Sequence, residues 1–335
     1  MAQRVGKRTL RMDTPVSIRS SAGVAGHKEA EGPVGADFDV TYTDDTLGKP
    51  SWEKSESALQ YDAATLALAK AGVSPEDVGV MLAGDLLNQC IGSTFGLRSL
   101  GIPFLGQFGA CSTMAQTMLL GALLVDTGCT DSALAVTSSH FCSAERQFRL
   151  PIEYGGQRAP TAQWTVTGAG AALIDRSGCG CLIKSVTIGK ICDLHIQDVN
   201  NMGAAMAPAA ADTITAFLRD SGSSPRDFDM ILTGDLGFIG SDLLIDLMRQ
   251  EGFDISDLHA DCGKIIFDRE RQDVHAGGSG CGCCGSVFCS HIMKRLRSGE
   301  LKRILFVATG ALMSPTSSQQ GESIPGIAHL IELSC

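Results

Sequence analysis

The sequence predicts an α/β fold built from two duplicated halves. The main observation is that one stretch of the chain nearly repeats: residues 62–86 read DAATLALAKAGVSPEDVGVMLAGDL, and residues 212–236, offset by 150, read DTITAFLRDSGSSPRDFDMILTGDL. Eleven of the 25 positions agree, among them Gly72, Ser74, Pro75, Asp77, Gly84 and Asp85. A period of 150 is far longer than the ~20–50 residues of a solenoid, so the repeated unit is domain-sized. A second observation is the order of patterns within each copy: helix, turn, strand, loop, helix, strand. The third is that the strands are short continuous apolar runs (79–82, 230–233, 304–308), as in sheets covered by helices on both faces.

Taken in order, the first copy opens with a helical pattern stopped by Gly72 and a Ser74-Pro75 turn, and a strand ending at Gly84-Asp85 follows. Phe108-Gly-Ala-Cys111-Ser-Thr then starts an apolar run to Val125, predicted as a helix closed by Gly128, and residues 132–139 read as a strand. Residues 140–165 lack clean periodicity and are predicted to be loop-like. In the second copy, Gly278-Ser-Gly-Cys281 opens the matching helix and residues 303–310 the matching strand. The offset has grown by about 20 residues between Leu236 and Cys281, which reads as loop growth, tolerated at little entropic cost. The halves are assigned as residues 1–180 and 181–335.

Composition excludes several classes. The chain has 335 residues, a formal net charge of −10 and 39 glycines. An acidic chain without a basic block is a poor ligand for nucleic acid or a bare anionic bilayer. No apolar run reaches the ~18 residues that span a membrane, and the basic start lacks the apolar stretch of a signal peptide. Thirteen cysteines without such a signal are therefore expected to be free thiols in a reducing compartment. Cys281-Gly-Cys283-Cys284 lacks zinc spacing, and Gly168-Ala-Gly170 lacks the third glycine of a phosphate loop.

Cys111 is the candidate reactive group. At a helix start the free N–H groups and the dipole favour a thiolate, which suits either a nucleophile or an anion-binding hole. Repeat symmetry adds Cys281, Asp85 and Asp235. Two carboxylates facing one centre share a proton, repel, or hold a cation such as calcium, whereas the structural alternative has each Gly-Asp-Leu capping the next segment. His140 and Arg146, in the loop-like stretch, are candidates for neutralising an anionic ligand; Arg149 and Arg158 are assigned to a subunit interface.

These residues carry a resemblance. G-A-C-S-T at a helix start, V-T-S-S-H closing the next strand, the stretch from Thr167 and the duplicated second half together resemble the thiolase-like superfamily. LAGDLLNQ (82–89), FGACST (108–113), SSHFCSAERQFRLPIEYGGQ (138–157), AAMAPAAADTI (204–214), ILTGDL (231–236), AGGSGCGC (276–283), VATGALMSPT (307–316) and QQGESIPGIAH (319–329) resemble, more narrowly, its stage V sporulation AD family. The resemblance implies a five-layered α/β/α/β/α thiolase-like fold, a homodimer, and a ligand-binding rather than condensing role: uptake of dipicolinic acid, with calcium, into the developing endospore. It also implies membrane subunits of the same operon as partners, and a peripheral place at the forespore inner membrane through them. Condensing members pair the cysteine with two histidines, or a histidine and an asparagine. Here the corresponding slots hold Asp235 and Cys281, so Claisen chemistry loses its proton carrier. An acyltransferase acting on an acyl thioester through Cys111 is the alternative reading.

Overall fold

Each half begins with the same local grammar. In the first, Ser51 caps helix α1 (Trp52–Ala71) by accepting the Lys54 N–H, and Gly72 ends it at φ 64°, a conformation that favours glycine. In the second, Asn201 caps the equivalent helix (Met202–Ser221) through the Ala204 N–H, and Gly222 ends it at φ 67°. A Pro-led 3-10 turn follows both, Pro75–Asp77 and Pro225–Asp227, and each turn delivers a buried strand, Val80–Gly84 or Met230–Thr233. These facts come from a computed structural model, which describes residues 1–148 and 158–335.

We number the remaining main elements in chain order. The first half contains β1 (Ser17–Ala25), α1, β2 (Val80–Gly84), α2 (Ile91–Leu97), β3 (Phe104–Gly106), α3 (Thr113–Asp126), β4 (Ser132–Ser139), α4 (Phe141–Phe148) and β5 (Gly168–Asp175). The second contains β6 (Cys181–Thr187), α5 (Met202–Ser221), β7 (Met230–Thr233), α6 (Gly237–Gln250), β8 (His259–Asp261), α7 (Cys262–Ile265), α8 (Cys281–Val287), β9 (Arg303–Ala311) and β10 (Gly326–Ser334). Strand order is β1-β5-β4-β2-β3 in one half and β6-β10-β9-β7-β8 in the other. Each half has two antiparallel pairings and then two parallel ones. The two five-stranded sheets join where Cys181 pairs with Ile18 and Leu182 with Ser17.

Helices supply the other layers. α3 packs against β4, β2 and β5 of its own half and also against β9 and β10, while α8 packs against β5, β4 and β1; both therefore lie between the sheets. α1 with α2 covers the outer face of the first sheet and α5 with α6 that of the second, which makes the α/β/α/β/α order. The central layer is close-fitting because its residues are small. A Cβ on Gly170 of β5 would lie 2.1 Å from the Gly285 carbonyl oxygen, and one on Gly310 of β9 would lie 2.4 Å from that of Gly109.

The growth between Leu236 and Cys281 is mostly loop, at residues 251–258 and 266–277, with a longer α6 (14 residues where α2 has seven) and α7 after β8. Two expectations are corrected. The stretch after β4 opens with α4, eight residues long, too short for its buried Ser143, Ala144 and Glu145 to set a helical period in the sequence. Not every thiol is free. Cys181 and Cys335 form a disulfide at the paired ends of β6 and β10, with Cα atoms 4.4 Å apart, and the other eleven cysteines are unbridged. That pair is a 154-residue separation closed by register (Leu182 faces Ser334), a relation that composition does not carry.

Candidate active-site cavity

The sequence around Cys111 makes a strained turn. Ala110 has φ 50°, unusual for a residue with a Cβ, and Gly109 bridges to Cys111 before α3 begins at Thr113. Ser112 and Thr113 hydroxyls hold the turn by donating to the Gly109 and Ala110 carbonyls at 2.7 and 2.6 Å. Gly310 of the other half sits against this turn. The Cys111 side chain is thereby delivered into a cavity of about 40 Å3 between the halves, walled by Leu86, Phe108, Phe148, Met202 and Met313, with Glu145 and Thr165 as its polar lining. At ~10–15 Å3 for each water, the cavity has room for a few waters.

Cys111 and Asp235 belong together. The thiol sits beside the Asp235 carboxyl, with Cys281 and the Gly280 N–H close by. Burial, then the charge of Asp235, pushes the Cys111 thiol well above its ordinary range. This overturns the expectation of a dipole-stabilised thiolate, because desolvation and a carboxylate neighbour outweigh the helix start. Asp235 accepts from Thr309 Oγ1 at 2.9 Å, Gly280 N at 2.8 Å and Ser279 Oγ at 3.3 Å, yet burial raises its pKa to about 7. Cys281 is buried and donates to the Ser138 carbonyl at 2.9 Å, which leaves it a filler opposite Cys111.

Asp85 serves its own half. Its carboxyl accepts from Leu87 N (2.9 Å), Ser93 N (2.7 Å) and Ser93 Oγ (2.6 Å), and its pKa is raised by burial. The donors on Asp85 and Asp235 take up the oxygens that a calcium ion would need, so the pair does not fit a resident cation. Among the described residues no cluster of three or more His, Cys, Asp or Glu side chains is arranged to hold a metal. Asp85 caps the segment that follows it, the structural alternative noted above, whereas the start of α6 is capped by Asp261 and Asp235 ties its strand end to Gly280 and Thr309.

His140 and Arg146 do not reach the cavity. His140 is fully buried, its Nε2 donating to the Asp45 carbonyl at 2.8 Å and its Nδ1 accepting the Cys142 N–H at 3.2 Å, the Nε2–H tautomer being the one this pattern requires. Burial lowers its pKa, so it stays neutral. Arg146 points outward and pairs with Glu53. Arg158 lies over the Trp164 ring, 4.7 Å from its centroid, and against the Asp273 carbonyl at 2.9 Å; Arg149 falls outside the described residues. The sequence reading gave Glu145 and Thr165 no role in the site. One signal was present: Glu145 is four residues after Phe141, and it is on the buried side of α4 with Ala144. A second buried carboxyl also escaped notice: Glu56 of α1 accepts from Ser138 Oγ at 3.0 Å and Ser143 Oγ at 2.6 Å, and burial raises its pKa.

Comparison with known proteins agrees with this geometry. Solved structures with the same fold include 3-oxoacyl-[acyl-carrier-protein] synthase III of Aquifex aeolicus (TM-score 0.58, 11% identical, covering 96% of this chain and 100% of that one). Cerulenin-bound OleA of Xanthomonas campestris is similar too (TM-score 0.61, 16% identical, covering 97% and 98%). At those identities the likeness is one of fold, and that fold is thiolase-like. Sequence similarity is narrower: stage V sporulation protein AD of Bacillus subtilis (strain 168) is 48% identical over 324 residues, 97% of this chain and 96% of that protein. With residues 6–334 also matching the pattern of stage V sporulation protein AD, the chain belongs to that sporulation family.

Proposed function

We propose that this protein binds dipicolinate, as the free dianion or its calcium chelate, during loading of the developing spore, and that it does not condense acyl thioesters. The observation that carries the second part is the Cys111–Asp235 pair. Its thiol is held protonated and its neighbour is a carboxyl rather than an imidazole. Membership of a sporulation family supports the first part. Titrating the purified protein with dipicolinate by calorimetry, with and without calcium, tests it: saturable binding is expected, and absence of heat at millimolar ligand would end the reading.

An acyltransferase remains the second reading because of one feature. Asp235, at a pKa of about 7, sits on the thiol it would have to deprotonate. Incubation with acyl-CoA and intact mass measurement decides it; an acyl adduct on wild type that is lost in Cys111→Ser would favour this second reading.

The same proposal includes a homodimer and recruitment to the membrane by protein subunits. Among the described residues no helix is long and apolar enough to cross a bilayer, and a charge of −10 is repelled by anionic lipid. β3 is the open edge of the first sheet and exposes Phe104, Leu105 and nearby Phe108 at 38%, 47% and 48%. An exposed apolar edge strand invites a partner strand, and a second copy offers the same edge in return.

A further inference from the structure

We propose that the N-terminal hairpin and the loop that follows β6 form one surface that lies against an anionic lipid bilayer. In the reading above, protein subunits bring the chain to the membrane; this surface adds a direct contact and fixes which face turns towards lipid.

The loop is the apolar part. It is pinned to the start of β10: Cys192 exchanges hydrogen bonds with Gly326 (2.9 and 2.7 Å), and the Ile196 carbonyl accepts the Ile324 N–H at 2.7 Å. Cys192, Ile196 and Val199 pack inward against the core of the second half. Ile188, Ile191 and Leu194 are left 44%, 64% and 62% exposed. A lone exposed aliphatic residue needs no explanation, but three close together on a fixed backbone form a patch that a contact would cover.

The cations beside it are gathered by strand register. The hairpin strands Gln3–Val5 and Thr9–Arg11 pair with each other, and the second pairs with β6, which sets Arg11 beside Ser185 and Thr9 beside Thr187. The Ile188 N–H donates to the Arg8 carbonyl at 3.4 Å, so hairpin and loop are continuous. Arg4, Lys7, Arg11 and Lys184 are exposed and make no ion pair among the described residues. Arg8 and Lys190 share Asp212, at 2.7 and 2.9 Å. The other acids here are engaged. Asp220 accepts the N–H groups of Lys7, Arg8 and Thr9, Asp193 accepts from the Ser323 hydroxyl, Asp198 accepts the Asn200 N–H, and Asp13 pairs with the Met1 ammonium.

The net charge of −10 repels anionic lipid from the molecule as a whole. Exposed charges further apart than the Debye length, ~10 Å at 0.1 M salt, are largely screened, so a face at contact is governed by its own charges. Aliphatic side chains that enter the headgroup boundary beside Lys and Arg make an interfacial anchor, each basic residue being drawn to anionic headgroups. Ile191 and Leu194 present most of their surface to solvent, which a fluid boundary covers without the shaped pocket that a protein partner would have to supply.

The test is flotation of the full chain with vesicles of phosphatidylglycerol and phosphatidylcholine in equal parts, and with phosphatidylcholine alone. Wild type is compared with Ile191→Ser/Leu194→Ser, Arg11→Glu/Lys184→Glu and Leu194→Trp, each checked for folding by circular dichroism and thermal melting. All these side chains are exposed, so the variants should melt as wild type does. Wild type should bind the anionic vesicles and not the neutral ones. Binding should be at least tenfold weaker in each double variant, and the Leu194→Trp emission should move to the blue when anionic vesicles are added. A wild type that does not float with anionic vesicles overturns the lipid contact and leaves the face to a protein partner. Flotation that survives both double variants, or that leaves the Leu194→Trp emission unmoved, places the contact elsewhere and overturns the proposal too. None of these outcomes bears on dipicolinate binding, which the titration above reads separately.

Discussion

Glu29, Glu56, Asp85, Asp235 and Asp261 carry fully or almost fully buried carboxyls, and burial raises the pKa of each. Glu29 shows the consequence most simply. It accepts the Thr167 N–H at 3.0 Å, yet desolvation pushes it from its ordinary value to about 8. A carboxyl whose folded pKa is raised binds its proton more tightly in the native state. Its stabilising contribution is complete below the unfolded pKa, near 4.5, and is lost as pH rises towards about 8. Melting temperature should therefore fall between pH 5 and pH 8.5. In Glu29→Gln, which is neutral throughout, the fall should be smaller; a variant with the full wild-type slope would show that Glu29 is already ionised when folded. The same physics governs Cys111, whose thiol is masked by burial and by Asp235. Iodoacetamide at pH 7.5 should label exposed Cys129 and Cys179 well before Cys111, as peptide mapping by mass spectrometry would show.

At the level of elements, the packing of β9 against the Cys111 turn depends on a missing side chain. A Cβ at Gly310 would meet backbone on every side: Gly109 O at 2.4 Å, Ser112 N at 3.0 Å and Cys111 N at 3.2 Å. None of these atoms can rotate away, so Gly310→Ala must separate the halves locally. A loss of about 1–3 kcal/mol is expected from such overpacking, read by urea denaturation. An unchanged midpoint would mean that the central layer gives more than its geometry suggests. Gly170 facing Gly285 makes the equivalent approach between β5 and α8. This explains why the second cysteine helix reads CGCCGSV: seven buried small or β-branched residues let it lie flat on a sheet. Zinc ligation is not needed to account for its cysteines.

For the whole molecule, the two halves repeat strand order and direction, but their ends differ in exposure. β3 leaves Leu105 47% exposed at one sheet edge, while at the other β8 is half-buried, with Asp261 capping α7 through the Lys264 N–H. If β3 joins two copies, Leu105→Glu places like charges at the joint, and sedimentation should show a shift from dimer to monomer without loss of fold. A wild type that sediments as a monomer at tens of micromolar would refute the dimer.

The duplication was legible in the sequence because it is written in local terms. Ser-Pro turns, Gly72 and Gly222 stops and short apolar strands act within a few residues of themselves. Their 150-residue echo therefore announced two like halves, and the motif around Cys111 announced the fold. The character of the site was decided elsewhere. Whether Cys111 is a thiolate depends on Asp235, 124 positions away, and on how deeply both are buried. Whether Asp85 and Asp235 face one another depends on which N–H and O–H groups reach them first, and those come from Ser93, Thr309 and Gly280. The disulfide joins Cys181 to Cys335 because two strands lie in register, and His140 is silent because Asp45 and Cys142 occupy both its nitrogens. Propensity and periodicity act over neighbouring residues, and so the sequence by itself determined the elements and their repetition. Burial and hydrogen-bond partnership act across space, and so only the tertiary structure decided protonation, pairing and which cavities are open.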